Sequence, residues 1–276
     1  MIQSVSDLVR LLDLESIEDN VFRGLSPPDL TQQRVFGGQV LAQALTAAYR
    51  TAPEGRLCHS FHAYFLRPGD PAVPILYEVD RSRDGGSFSV RRVVAIQHGA
   101  QIFVLSASFQ KSEPGFEHQA QMPQVPPPED LPDGAALLES APLRTRARPF
   151  EFRPVIERGL GDRPVRAPLD HIWLRVPPPL GGGPALHQAF LAFASDLSLL
   201  DTALLPHGKG LMSNLQIASL DHAMWFHRAF RADDWMLYVQ DSPSASGARG
   251  FARGLIFARD GTLIASVAQE GLIRQR

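Results

Sequence analysis

Cys58 and His59 are the one place in this chain where a thiol and an imidazole stand side by side. As a nucleophile and base they would make a thiol-ester intermediate, but adjacent residues in a strand point to opposite faces. The pair therefore reads as structural, with His59 left as the base of a competing scheme or as a hydrogen-bonded strand histidine. His59/His62 and His222/His227 lie near no cysteine or carboxylate pattern of metal-ligand spacing, so no metal site is expected. The chain lacks a G-x-S-x-G elbow, a Walker loop, a dinucleotide fingerprint and an H-E-x-x-H pair. Gly37-Gly38 reads as a helix start or a close packing point, and Tyr64, Trp225 and Phe226 read as core or interface aromatics.

The elements that must position any such group come in two copies. FLRPGDPAVPILYEVDRSRDGGSFSVRR, from Phe65, aligns without a gap with FHRAFRADDWMLYVQDSPSASGARGFAR, from Phe226. The offset of 161 residues runs on to Ala107/Ala268 and matches Arg67/Arg228, Tyr77/Tyr238, Asp80/Asp241 and Gly86/Gly247. Each copy predicts strands, at Ile75–Val79 and Met236–Val239. Period-two patterns follow at Phe88, Val90, Val94 and Ile96, and at Phe251, Leu255 and Phe257. Tight turns at His98-Gly99 and Asp260-Gly261, with positive φ at both central residues, lead to final strands at Ile102–Phe109 and Leu263–Val267.

Ahead of each strand set lies an apolar helix, GGQVLAQALTAAY in the first copy and PALHQAFLAFASDLSLLDTAL, opened by Pro184, in the second. Both are apolar over much of their surface, which predicts burial. Val21–Gly24 and Phe150–Arg153, which share Phe-Arg, are the expected first strands, with His171–Val176 as an extra one. Val5, Leu8, Val9 and Leu12 predict a short amphipathic helix at the start. A buried helix needs an apolar wrapper, and an antiparallel sheet curling around it supplies one. The expected fold is α+β, a tandem or double hotdog with two helix-wrapped sheets side by side. The expected units are an N-terminal repeat (1–113), a proline-rich linker (114–148) of semi-rigid connection rather than core, and a C-terminal repeat (149–276).

Composition excludes several classes. Apolar residues make up 44 %, too many for a disordered chain, and a single cysteine rules out a disulfide scaffold. A net charge of −2 gives no general field for nucleic acid or anionic lipid, and neither is an expected partner. The longest strongly apolar stretch in the sequence, Ile102–Phe109, falls far short of the ~20 residues that span a bilayer, so no membrane insertion is expected. With no leader pattern at the first residues and no peroxisomal signal in Arg274-Gln275-Arg276, the expectation is a cytoplasmic protein.

Five segments together resemble the acyl-CoA thioesterase II family: VFGGQVLAQAL (35 to 45), HSFHAYFLRPGD (59 to 70), ASDLSLL (194 to 200), DHAMWFHR (221 to 228) and AQEGLIR (268 to 274). The resemblance extends over nearly the whole chain. It implies a double-hotdog enzyme that hydrolyses acyl-CoA to fatty acid and CoA, with no metal, no cofactor and no covalent intermediate. The family's Asp, Thr and Gln fall on Asp196, Ser219 and Gln269, and Ser219 departs from the pattern by losing the threonine methyl. By that resemblance the three orient an attacking water, with burial near the apolar helix strengthening Asp196 as a base. Without it, Asp196 reads as a solvated or capping carboxylate, Gln269 as a strand-edge amide and Ser219 as a turn or strand hydroxyl.

The repeat adds that Ser108 stands at the offset from Gln269, while two helix registers set Gln39 or Ala47 opposite Asp196. No carboxylate recurs, so one centre per chain is expected, in the second copy. The substrate is expected to be a medium- or long-chain acyl-CoA, and a homo-oligomer is expected by analogy. A hotdog enoyl-CoA hydratase and a non-catalytic acyl-CoA-binding protein are the rival readings.

Overall fold

Two apolar helices lie back to back inside one curved sheet. The computed structural model describes residues 4–27, 34–134, 149–156 and 161–275. The first repeat holds α1 (Val5–Leu12), β1 (Glu15–Glu18), β2 (Val21–Gly24), α2 (Gly37–Thr51), β3 (Arg56–Phe65), β4 (Ile75–Asp84), β5 (Phe88–Gln97) and β6 (Ala100–Lys111). The second holds β7 (Glu151–Pro154), β8 (Leu169–Arg175), α3 (Pro184–Ser195), a 3-10 extension (Leu199–His207), β9 (Leu215–Ser219), β10 (Asp221–Phe226), β11 (Met236–Ser246), β12 (Arg249–Ala258) and β13 (Leu263–Gln275).

All pairings are antiparallel, in the order β1-β2-β4-β5-β6-β3-β10-β13-β12-β11-β8-β7, with β9 also on β13. The order reads as a mirror about the β3–β10 seam, which makes the sheet a double hotdog. It also corrects one expected equivalence. β8 pairs β11 as β2 pairs β4, so β8 is the counterpart of β2, and β7 takes the outer place of β1. The shared Phe-Arg of Val21–Gly24 and Phe150–Arg153 does not mark equivalent strands.

Local chemistry explains the helices. Ser4 and Asp7 form a reciprocal capping box at α1, whose Leu8 and Leu12 are buried. Pro184 opens α3 at its first turn. Leu41 and Leu45 of α2 and Phe190 and Phe193 of α3 are fully buried, each contributing about 1.5–3 kcal/mol. The helices touch because Gly38 has no side chain: a Cβ there would stand 2.4 Å from the Phe193 carbonyl oxygen. Phe36 and Phe193 meet edge to face beside it, with centroids 5.1 Å apart. α3 and its extension give a 24-residue helical run, Pro184–His207, whose most apolar 18-residue window has a mean hydropathy of 1.4, long and apolar enough by length and composition to cross a membrane. Among the described residues that run, rather than Ile102–Phe109, is the one helix of such length, and 83 % of its most apolar window is buried inside the molecule.

Three further expectations change in detail. β5 keeps period two but in the opposite phase: Ser89, Arg91, Val93, Ala95 and Gln97 face inward while Phe88 is exposed. Arg91 explains the polar inner face. Fully buried, it donates to the Thr51 carbonyl that ends α2 (2.8 Å) and to both Asp84 carboxylate oxygens (2.8 and 3.0 Å). The turns also differ: His98 and Gly99 both have positive φ, but in the second copy only Gly261 does (φ 90°), in a longer loop closed by its N–H to the Ala258 carbonyl. Finally, the described part of the proline-rich segment, 114–134, is more than a connector. Met122, Val125 and Leu131 pack on a second apolar cluster of Trp173, Trp235, Leu237, Phe257 and Leu263, and the Trp173 indole donates to the Pro126 carbonyl. The rest of the expected linker, 135–148, lies outside the described residues.

Candidate active site

The three residues singled out above come from three elements and meet. Asp196 is the residue that ends α3, Ser219 is the last of β9, and Gln269 lies within β13. One Gln269 Nε2 donates to Asp196 Oδ1 at 2.7 Å and to Ser219 Oγ at 2.8 Å. Ser219 Oγ donates to the same carboxylate oxygen over a longer 3.4 Å. The Asp196 side chain is 4 % exposed and Gln269 1 %. Gln269 is thus a buried mid-strand amide, not an edge one, and Asp196 is a buried capping residue.

A single extra residue makes the convergence possible. Ser219 pairs with Gly271 and Ala223 with Ala268, so four steps along one strand face three along the other. The surplus falls at Leu220, whose N–H donates to the Glu270 carbonyl and whose carbonyl accepts from Phe65 N–H, both at 2.9 Å. Side chains alternate in a strand, so the insertion reverses the phase. Ser219 and His222 then share the inward face with Gln269, which regular pairing would forbid.

His222 is the functional neighbour that sequence reasoning missed, having weighed it only as a metal ligand. Its Nε2 lies 2.9 Å from Ser195 Oγ. That hydroxyl already donates to the Ala192 carbonyl, so it accepts from an Nε2–H, and the Nδ1 lone pair faces Asp196 Oδ1 at 3.9 Å. Complete burial pushes the imidazole pKa down to about 3, so the ring is neutral. His222 Nδ1 and Gln269 Oε1 are both buried acceptors with no hydrogen-bond partner among the described residues. The signal for this role was the Asp-His pair of DHAMWFHR.

A cleft of about 500 Å³ reaches Asp196 and Ser219, with Gln269 behind them holding both. Its walls are apolar, including Phe36, Val40, Phe65, Ile102, Phe103 and Leu200. Gly37 stands against the carboxylate: a Cβ there would lie 2.7 Å from Asp196 Oδ2. Gln39 N–H of α2 already donates to the Phe36 carbonyl, whereas the N–H groups of Gly37 and Gly38 precede the first turn's acceptors, so the positive end of one repeat's helix abuts the carboxylate that ends the other's.

Among its described residues the first repeat holds no such cluster. Its strand carries the matching extra residue at His59, between the pairs Cys58/Phe109 and Ser60/Ser108. Cys58 stands where Ser219 stands, but the expected match of Ser108 with Gln269 is corrected. The second copy has one extra residue in the loop before β13, so Cys58 pairs Phe109 as Ser219 pairs Gly271, and Ala107 takes the place of Gln269. Neither Gln39 nor Ala47 reaches Cys58. α2 sends Tyr49 there instead, its hydroxyl accepting from Cys58 N–H at 2.8 Å. The Cys58 thiol donates to the Ser60 carbonyl while His59 Nε2 pairs with Ser108 Oγ at 2.8 Å, so thiol and imidazole do not meet. Burial pushes the thiol pKa far up. Among the described residues no three His, Cys, Asp or Glu side chains gather as a metal site.

The chain is similar to known proteins along its length. A family model described as acyl-CoA thioesterase matches residues 144–272, and one described as acyl-CoA thioesterase N-terminal domain matches residues 26–110. The chain is 44 % identical to acyl-CoA thioesterase 2 of Haemophilus influenzae, covering 98 % of each, and 44 % identical to acyl-coenzyme A thioesterase 8 of Mus musculus, covering 96 % of this chain and 88 % of that one. Among solved structures, an acyl-CoA thioesterase II from Mycobacterium marinum superposes with a TM-score of 0.84 at 44 % identity, covering 98 % of both chains.

Proposed function

This chain belongs to the acyl-CoA thioesterase II family and is an acyl-CoA hydrolase, and from that premise we propose that it hydrolyses medium- and long-chain fatty acyl-CoA through Asp196, Ser219 and Gln269. The observation that carries this reading is the single Gln269 amide group that ties a buried carboxylate and a hydroxyl together at the inner end of an apolar cleft. Asp196 accepts a proton from water as the water oxygen attacks the thioester carbonyl carbon. The carbonyl electron pair moves to oxygen, where the first N–H groups of α2, beside Gly37, supply preorganised donors. On collapse the C–S bond breaks, and the proton held by Asp196 passes to the departing CoA sulfur. The products are free fatty acid and CoA.

Gln269 carries no charge, so it orients Asp196 without neutralising it. Neutral His222 acts in the same sense, presenting a lone pair rather than a cation to the carboxylate. The apolar walls favour an alkyl chain by about 0.8 kcal/mol per buried methylene, which supports the chain-length part of the proposal. One such centre exists per chain on this reading, assembled from the second repeat and closed by the first repeat's helix.

Free-thiol release measured across acyl-CoA esters of increasing length tests the proposal, with Asp196→Asn as control. The expected result is release that rises with chain length and falls about 10²–10⁴-fold in the variant. Consumption of enoyl-CoA without thiol release would indicate a hydratase instead, and binding without turnover a carrier. Thiol release by Asp196→Asn at the parent rate would remove Asp196 from the mechanism.

A further inference from the structure

We infer that Arg34 and Arg67 form the recognition site for the phosphates of the CoA portion of the substrate, an inference that rests on the acyl-CoA hydrolase reading. Among the described residues they are the only cationic ones lining the active-site cleft, and both are exposed, whereas Asp196 at the inner end is buried. Each guanidinium is aimed by one tie to a backbone carbonyl, Arg34 to Ile217 and Arg67 to Gln101, both at 2.7 Å. Among the described residues the remaining N–H donors of each fork have no partner, and neither arginine is paired with a carboxylate. The other acid on the cleft wall, Asp201, is buried and pairs with Arg163 at 3.0 Å, so it does not offset them.

Repeat symmetry isolates the feature. Arg228 stands at the 161-residue offset from Arg67 and makes the matching tie, to the Leu263 carbonyl. There the 114–134 segment covers it: Arg228 donates to the His118 carbonyl and approaches Glu117 at 4.0 Å. One arginine of the pair is therefore occupied by the chain itself, and the other is left open beside the one assembled centre.

The ligand class follows from charge and shape. CoA carries a diphosphate and a ribose phosphate, and guanidinium forks bind phosphate oxygens through paired, charge-assisted hydrogen bonds. The overall charge of −2 supplies no attraction at long range, so recognition of so anionic a substrate must be local. Ile217 lies two residues before Ser219, so Arg34 is tied to the strand that delivers the catalytic hydroxyl.

The test compares dodecanoyl-CoA with S-dodecanoyl-pantetheine, which has the same thioester and no phosphates, using Arg34→Ala, Arg67→Ala and the double variant of the full chain. The expected result is that the ratio of kcat/KM for the CoA ester over the pantetheine ester falls about tenfold for each variant. Calorimetry with CoA alone is the second measurement, with binding weakened in the double variant and, in the parent, by added salt. An unchanged ratio together with unchanged CoA affinity would overturn the inference. Absence of thiol release from either ester by the parent protein would instead defeat the hydrolase reading, and the CoA titration would still judge the two arginines.

Discussion

Asp196 ends the helix of one repeat and Gly37 begins the helix of the other, and the carboxylate rests against the glycine Cα. A Cβ at Gly37 would stand 2.7 Å from Asp196 Oδ2 and 3.1 Å from the Phe65 ring. The centre therefore lies where the two hotdogs cross, which gives the duplication a chemical consequence: neither unit alone brings both groups.

Gly37→Ala is expected to damage catalysis far more than folding. The nearest atom is the end of a side chain, so the carboxylate can swing aside at small cost in stability. A displacement near 1 Å is enough to lose about 10²-fold in rate. The check is kcat for thiol release beside a thermal melt. Full activity in the alanine variant would show that the carboxylate is not held where catalysis needs it.

Gln269 and Ser219 are coupled through one Nε2, so their substitutions should not add. Gln269→Ala removes a donor from Asp196 and from Ser219 together, and a loss of about 10²-fold in kcat is expected. Ser219→Ala leaves Gln269 on Asp196 at 2.7 Å and should cost about tenfold or less. The double variant should then lose less than the product of the two. Ser219→Thr restores the methyl that restricts χ1 and is expected to keep or raise activity. Strictly multiplicative losses in a full double-mutant cycle would mean the two residues act separately.

The duplication was readable because both copies keep one spacing through β3/β10, β4/β11 and β5/β12, including the extra residues His59 and Leu220. The longer loop before β13 then shifts the last strands to a spacing of 162, which a gapless alignment reads as 161. Other features were hidden for physical reasons. The inner phase of β5 is set by Arg91 capping α2, a tertiary contact that a hydrophobic pattern reads backwards. His222 reaches Asp196 only because Leu220 reverses the strand phase, and simple alternation puts it on the face opposite Ser219. The part of the proline-rich segment that covers Trp173 and Trp235 looked like a connector because its apolar residues are few and widely spaced.

Cys58 is expected to be chemically silent in the folded protein. It is fully buried, its thiol donates to the Ser60 carbonyl, and burial raises its pKa far above the ordinary thiol value. Iodoacetamide should leave native protein unmodified and active, and should label one site per chain after denaturation. Mass spectrometry reads both outcomes. Rapid native labelling with loss of activity would reopen the thiol-imidazole scheme.

The neutral His222 makes a signed prediction about acid stability. Its folded pKa of about 3 lies below the ordinary histidine value near 6.5, so between those limits the unfolded chain binds a proton that the native ring refuses. Its contribution is therefore fully present above about pH 6.5 and is lost as pH falls through 3, with a slope of at most about 1.4 kcal/mol per pH unit. Several carboxylates held below their usual range, Asp233 and Asp260 among them, add acid sensitivity mainly below about pH 4. The informative window is thus pH 4–6.5. His222→Gln keeps an N–H directed at Ser195 Oγ and removes the titration, so its urea midpoint should fall less steeply than the parent's across that window. Parallel curves for the two proteins would mean that His222 is protonated in the folded state, and the lone pair assigned to its Nδ1 would be lost with that result.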